Sequence, residues 1–120
     1  PPQGGHSIVN TASVAGLVGS PTIPAYSASK HVVVGMTNSA ARGYGKRGIR
    51  VNSVCPALVD TPLAQPLFEN AESEERMRLR QAVGRFGDVE EIASTVVWLS
   101  SGDASFITGT PMRVDGGALA

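Results

Sequence analysis

The chain predicts an α/β fold, a parallel sheet covered by helices on both faces. Short β-type apolar runs at residues 6–11, 50–55 and 111–114 are separated by long helical patterns rather than by tight turns. Parallel strands need crossovers of a dozen residues or more, usually helical, whereas hairpins need only a few. The helical pattern over residues 25–41 is almost free of charge, which suits a helix packed between a sheet and a second helix.

Each element has local reasons. Residues 6–11 centre on Ile8 and Val9, with glycines before and small residues after. Residues 15–24 are rich in Gly, Ser, Thr and Pro and read as a loop. Residues 25–41 read as a helix, with Pro24 suited to its start and Gly43 and Gly45 to its end. Residues 50–55 form a strand that Pro56 stops. Thr61 and Pro62 can cap and open a helix. Residues 69–80 carry the most charge and read as a solvated helix or a mobile segment. Asp88 with Glu91 makes a capping box before an amphipathic helix that ends near Gly102. A strand at residues 111–114 leads into Asp115-Gly116-Gly117.

The bulk properties exclude several functions. The 120 residues amount to one domain or less, with no internal repeat or linker. Basic and acidic residues balance at ten each, with a pI near 7.3, so nothing marks a nucleic-acid or anionic-membrane surface. No apolar run approaches the ~18 residues of a membrane span. Cys55 is the sole cysteine, which excludes an internal disulfide and fits a reducing, cytoplasmic setting. Its place in a strand suits a buried small hydrophobe better than a reactive thiol.

Tyr26-Ser27-Ala28-Ser29-Lys30 carries the chemical signal, thirteen residues after Ser13. Positions i and i+4 share a helix face, so a phenol and an ammonium can point into one site. A nearby cation favours the phenolate, which suits a tyrosine to general acid–base work. Taken alone, the pair is equally an ordinary couple on a solvated face. Its context is more specific. In parallel sheets ligands bind beyond the carboxyl ends of the strands. That rule selects Ser13, just past the first strand, and residues 56–61, just past the second. Tyr26 and Lys30 can face the same edge.

In this order the motifs resemble the short-chain dehydrogenase/reductase family. Ser7-Ile8-Val9-Asn10-Thr11-Ala12-Ser13 is similar to the strand ending in the family's serine. Tyr26 to Lys30 matches its YxxxK signature, and Arg50-Val51-Asn52-Ser53-Val54-Cys55-Pro56 its strand before a Pro-Gly turn. Gly84-Arg85-Phe86-Gly87, Ile107-Thr108-Gly109 and Val114-Asp115-Gly116-Gly117 resemble its closing segments. The spacing of Tyr26 and Lys30 disfavours the enoyl-reductase branch. The resemblance implies a Rossmann-like doubly wound sheet, of which residues 1–120 would be the C-terminal, catalytic half. It implies hydride transfer between NAD or NADP and an alcohol or carbonyl carbon of a small molecule. Tyr26 would be the acid–base residue and also contact the cofactor, and Ser13 would hydrogen-bond the substrate oxygen. Lys30 would tune Tyr26 and hold the nicotinamide ribose. Pro56 and Val59 would lie against the nicotinamide, and Thr61 would bond its carboxamide. No metal is implied, and a homo-oligomer, dimer or tetramer, is expected.

Two departures stand out. Ala57 occupies a usual glycine position, where a positive φ would strain alanine. Ala12 stands where many members have a first serine. His6 and His31 match no family role and read as structural or surface residues. The glycine-rich phosphate loop, the residue choosing NAD or NADP, the Asn-Ala-Gly segment and a catalytic asparagine are all missing; Gly4-Gly5 precedes a strand, the wrong context. The chain alone is therefore expected to fold poorly or associate, and to bind dinucleotide weakly. The rival reading is a truncated, non-catalytic oligomerisation or interaction module of the same fold. Leu63, Leu67 and Phe68 hint at an apolar ligand.

Overall fold

In the computed structural model, which describes residues 5–62 and 70–120, the elements run β1 (His6–Thr11), α1 (Pro24–Tyr44), β2 (Ile49–Pro56), α2 (Ala71–Arg78), α3 (Val89–Ser100) and β3 (Pro111–Val114). The strands lie in the order β1-β2-β3, with Ile8 opposite Val51 and Val54 opposite Met112. Both pairings are parallel, giving the Rossmann-like α/β arrangement expected from the strand–helix alternation. Among the described residues, no strand pairs with the other edge of β1.

The helices cover opposite faces. The Asn10 amide donates to the Thr37 hydroxyl of α1 at 3.0 Å, and the Ser7 hydroxyl to the Leu99 carbonyl of α3 at 3.4 Å. Side chains of a strand alternate, so residues 7 and 10 point to different sides. Val51, Val54, Cys55 and Leu99 are fully buried between these layers. A leucine so enclosed typically contributes about 2–5 kcal/mol against alanine. Asn52 is buried among them because both ends of its amide are satisfied. Its Nδ2 donates to the Ile107 carbonyl and its Oδ1 accepts from the Thr110 N–H, each at 3.0 Å.

Several expectations change in detail. Helix α1 continues past Gly43 to Tyr44, and a 3-10 turn at Gly45–Arg47 follows. Gly45 is the C-cap of α1, as expected, and the 3-10 turn closes at Gly48, φ +78°, in the left-handed conformation. A glycine inside a helix weakens it by about 1 kcal/mol without ending it. Residues 71–78 form a capped helix: Asn70 Oδ1 accepts from the Ser73 N–H at 2.8 Å. Only the sheet side of α1 is covered as expected. Val32 and Met36 are 57% and 64% exposed in this chain. The helix start expected at Thr61 and Pro62, and the apolar Leu63, Leu67 and Phe68, run into residues 63–69, outside the described residues.

Candidate active site

One wall of the site starts where β1 ends. Ser13 caps a 3-10 turn, Val14–Gly16, its Oγ accepting from the Ala15 N–H at 3.1 Å. Helix α1 begins with Pro24, which places Tyr26 in its first turn. The Ser27 hydroxyl, buried, donates to the carbonyls of Ala15 at 2.7 Å and Val18 at 3.1 Å. Gly16 lies directly against α1, where an added Cβ would sit 2.7 Å from the Lys30 carbonyl oxygen. Gly16 and Ser27 therefore fix Tyr26 and Lys30 relative to Ser13. Sequence reasoning passed over both, because a glycine and a serine in a small-residue stretch look like loop filler.

The Tyr26–Lys30 spacing brings the two side chains together. Lys30 Nζ lies 5.6 Å from the Tyr26 ring centroid and donates to the Thr11 carbonyl at 3.5 Å. The ammonium thus bridges the end of β1 and the phenol. His31, next in sequence, turns its Nδ1 to the Ser27 carbonyl at 2.8 Å, away from any role in the site.

The second wall is irregular chain. Pro56 closes β2, and the following turn hydrogen-bonds outward. Ala57 N–H donates to Val114 O at 3.4 Å, and Leu58 N–H to Gln81 Oε1 at 3.4 Å. Val59 bridges Gly87, with Gly87 N–H donating to Leu58 O and Asp60 N–H to Gly87 O, both at 3.0 Å. The strain anticipated at Ala57 is absent, because only glycines adopt positive φ among the described residues. Behind this wall the sharp turn at Gly116 and Gly117, φ +56° and +84°, lets residues 82 and 83 approach. A Cβ on either glycine would fall 2.8 Å from a side-chain atom of Val83 or Ala82.

Between the walls lies a cavity of about 1220 Å³. Ser13, Tyr26, Lys30, Pro56, Val59 and Thr61 all line it. Met77, Arg80, Gln81 and Ile92 also line it opposite α1; of these the sequence pattern marks only Ile92, as part of an amphipathic helix. In the lining of a separate, smaller cavity Arg85 holds Glu91 through two bonds of 2.8 and 3.0 Å. That guanidinium, and then the Asp88 N–H, hold the Glu91 carboxyl down to about 2. Burial pushes the Cys55 thiol up, which fits the buried, unreactive role expected of it. No group of three or more His, Cys, Asp or Glu capable of holding a metal occurs among the described residues. No helix among them is long and apolar enough to cross a membrane.

A crevice beyond the carboxyl ends of a parallel sheet, walled by serine, tyrosine and lysine, is the arrangement the motifs led us to expect of a short-chain dehydrogenase or reductase. The chain belongs to that family: a family model described as enoyl-(acyl carrier protein) reductase matches residues 2–118. It is 49% identical over 115 residues to a 2,5-dichloro-2,5-cyclohexadiene-1,4-diol dehydrogenase of Sphingobium indicum, covering 95% of this chain and 46% of the relative. It is 44% identical over 118 residues to a Xanthobacter autotrophicus protein named inactive 2-(S)-hydroxypropyl-CoM dehydrogenase 2, covering 95% and 51%. A 4-hydroxyisoleucine dehydrogenase mutant complexed with NADH and succinate superposes with a TM-score of 0.89 at 39% identity, covering 93% of this chain and 46% of that one. ElxO with NADP bound gives 0.86 at 33% identity, covering 94% and 46%. The chain spans about half the length of the curated relatives it matches. The matched model's description names enoyl reduction, the branch that the Tyr26–Lys30 spacing disfavours; both relatives and the NADH-bound neighbour are named as dehydrogenases.

Proposed function

We propose that this chain is the C-terminal, catalytic half of an NAD(P)-dependent oxidoreductase acting on an alcohol or carbonyl group of a small molecule. The observation that carries this reading is the convergence of Ser13, Tyr26, Lys30, Pro56, Val59 and Thr61 on one cavity. The residues suit the nicotinamide end of such a cofactor. Lys30 offers an ammonium to the ribose hydroxyls, Pro56 and Val59 an apolar surface to the ring, and Thr61 a hydroxyl to the carboxamide. The nicotinamide, when bound, supplies or accepts the hydride.

The chain's own groups handle the oxygen and its proton. Hydride arriving at a carbonyl carbon builds negative charge on the oxygen. The Ser13 hydroxyl accepts from Ala15 and keeps its own hydrogen to donate to that oxygen. Tyr26 delivers the proton in reduction and removes it in oxidation. The Lys30 ammonium, 5.6 Å from the ring centroid, offsets the negative charge that builds on the Tyr26 oxygen as its proton leaves. An ordered proton donor of this kind contributes roughly 10²–10⁴-fold. In the complete polypeptide, Tyr26→Phe should lower hydride transfer by about that factor and weaken NADH or NADPH binding, followed by nicotinamide fluorescence, far less. Turnover surviving in Tyr26→Phe would sink the assignment. A panel of secondary alcohols, ketones and an enoyl thioester then separates carbonyl from enoyl reduction.

A second reading has its own support. The exposed apolar side chains of α1, Val32 and Met36, suit a homo-oligomeric contact, dimer or tetramer, in a non-catalytic module. One relative's name declares it inactive, so likeness alone does not separate the two readings. Association with no turnover of any alcohol or ketone would favour the module.

A further inference from the structure

We propose that Gln81 is the positioning residue that sets the turn at residues 56–61, and through it the seat of the nicotinamide. The proposal rests on the reading of that turn given above. Two amides of the turn, those of Ala57 and Asp60, donate to backbone carbonyls, of Val114 and Gly87. The Leu58 amide between them donates instead to a side chain, Gln81 Oε1. Gln81 is only 4% exposed, and its Nε2 donates to the Arg85 carbonyl at 2.8 Å. One amide group thus joins the turn to the loop after α2.

A neutral amide of this length serves both partners at once. A carboxylate accepts from Leu58 but has no hydrogen for Arg85, an ammonium does the reverse, and asparagine is one methylene shorter. The residue itself is held from both sides. Its N–H donates to the Arg78 carbonyl at 3.3 Å, and its carbonyl accepts from the Gly84 N–H at 2.9 Å. A Cβ on Gly116 would lie 3.4 Å from the Gln81 Cβ, so the glycine turn seats it closely. Gln81 also lines both the large cavity and a smaller one of about 220 Å³ behind Ala57 and Leu58. Without it, Leu58 and Val59 are free to shift toward that smaller space. Ser13 and Tyr26 stand on the other wall, with separate anchors, so the loss should fall on cofactor seating and spare proton transfer.

The test compares wild type, Gln81→Met, Gln81→Glu and Thr61→Ala in the complete polypeptide. Hydrogen exchange at the Leu58 amide and steady-state kinetics with varied NADH or NADPH are measured on each. Gln81→Met should accelerate Leu58 exchange and raise the cofactor KM about tenfold, with kcat at saturating cofactor nearly unchanged, the pattern of lost uniform binding. Gln81→Glu keeps the acceptor for Leu58 but loses the bond to the Arg85 carbonyl, and should restore part of the Leu58 protection and part of the KM. Unchanged Leu58 exchange in Gln81→Met overturns the proposal. So does faster exchange with an unmoved KM while Thr61→Ala raises it. If neither Gln81→Met nor Thr61→Ala moves the KM, the cofactor reading of the turn falls instead. If Gln81→Met does not fold, Gln81→Glu decides, and loss of Leu58 protection there overturns the proposal.

Discussion

The two walls of the cavity are built by different means. The wall carrying Ser13, Tyr26 and Lys30 is a strand end and a helix joined by the close approach of Gly16 to Lys30, by the Ser27 hydroxyl, and by bonds from Lys30 to Thr11 and from Asn10 to Thr37. The opposite wall is irregular chain, held by many bonds between residues 57–60, 81–87 and 114–117. A helix moves as a rigid body, so one misplaced contact displaces every group it carries. A loop network yields piece by piece, and each bond lost shifts only its own residues. The first wall is suited to hold reacting groups at fixed distances, and the second to hold a ligand whose position tolerates small adjustment.

The largest effect that would sharpen this contrast is chemical: Tyr26→Phe removes the proton route and leaves both walls standing. Next comes Gly16→Ala, which puts a methyl 2.7 Å from a backbone oxygen that cannot rotate away. It should destabilise the protein by about 1–3 kcal/mol, the usual range for overpacking, and depress turnover along with stability. Urea unfolding and kcat measured together would show it; a stable variant of unchanged activity would mean that Gly16 does not set the place of the helix. On the other wall, Gly117→Ala meets a strained φ and a Cβ contact of 2.8 Å. A cost of roughly 1–2 kcal/mol is expected, and its functional trace should be in cofactor KM, with kcat kept, as for Gln81→Met.

The smallest effect concerns pH. The Glu91 carboxyl is held at about 2, below its ordinary 4.5, by Arg85 and then by the Asp88 N–H. A lowered carboxyl contributes stability that is complete above its ordinary value and disappears as pH falls through its folded value. Glu91→Gln should therefore be less stable than wild type at neutral pH, with the gap closing between pH 4.5 and 2. The pair is solvent-exposed, so added salt should shrink the difference. Urea midpoints across that window, at low and high salt, provide the check.

What the sequence made legible follows the same division. The strands, the helix spans and the convergence of Ser13 with Tyr26 and Lys30 rest on periodicity and local spacing, and the structure places them as expected. Gly45 ends α1 as the composition suggests, whereas the positive φ that closes the following turn, at Gly48, leaves no mark in composition. Gly16, Ser27 and Gln81 were invisible for another reason. Each acts through a partner brought close only by the fold, the Lys30 backbone, the Ala15 carbonyl and the Leu58 amide. The strain expected at Ala57 was carried over from a family pattern, and the backbone around this alanine does not require it.

The buried Asn52 amide has a further consequence, in the order of folding. Its carbonyl and N–H partners lie 55 and 58 residues along the chain. Helices form from neighbours, but the β2–β3 ladder must first close a long loop, which opposes early pairing. Until it closes, Asn52 keeps a polar amide without its partners in the middle of an apolar strand. That disfavours burying β2 against the wrong surface. The residue therefore acts as a late checkpoint, comfortable in the core only once the sheet is complete.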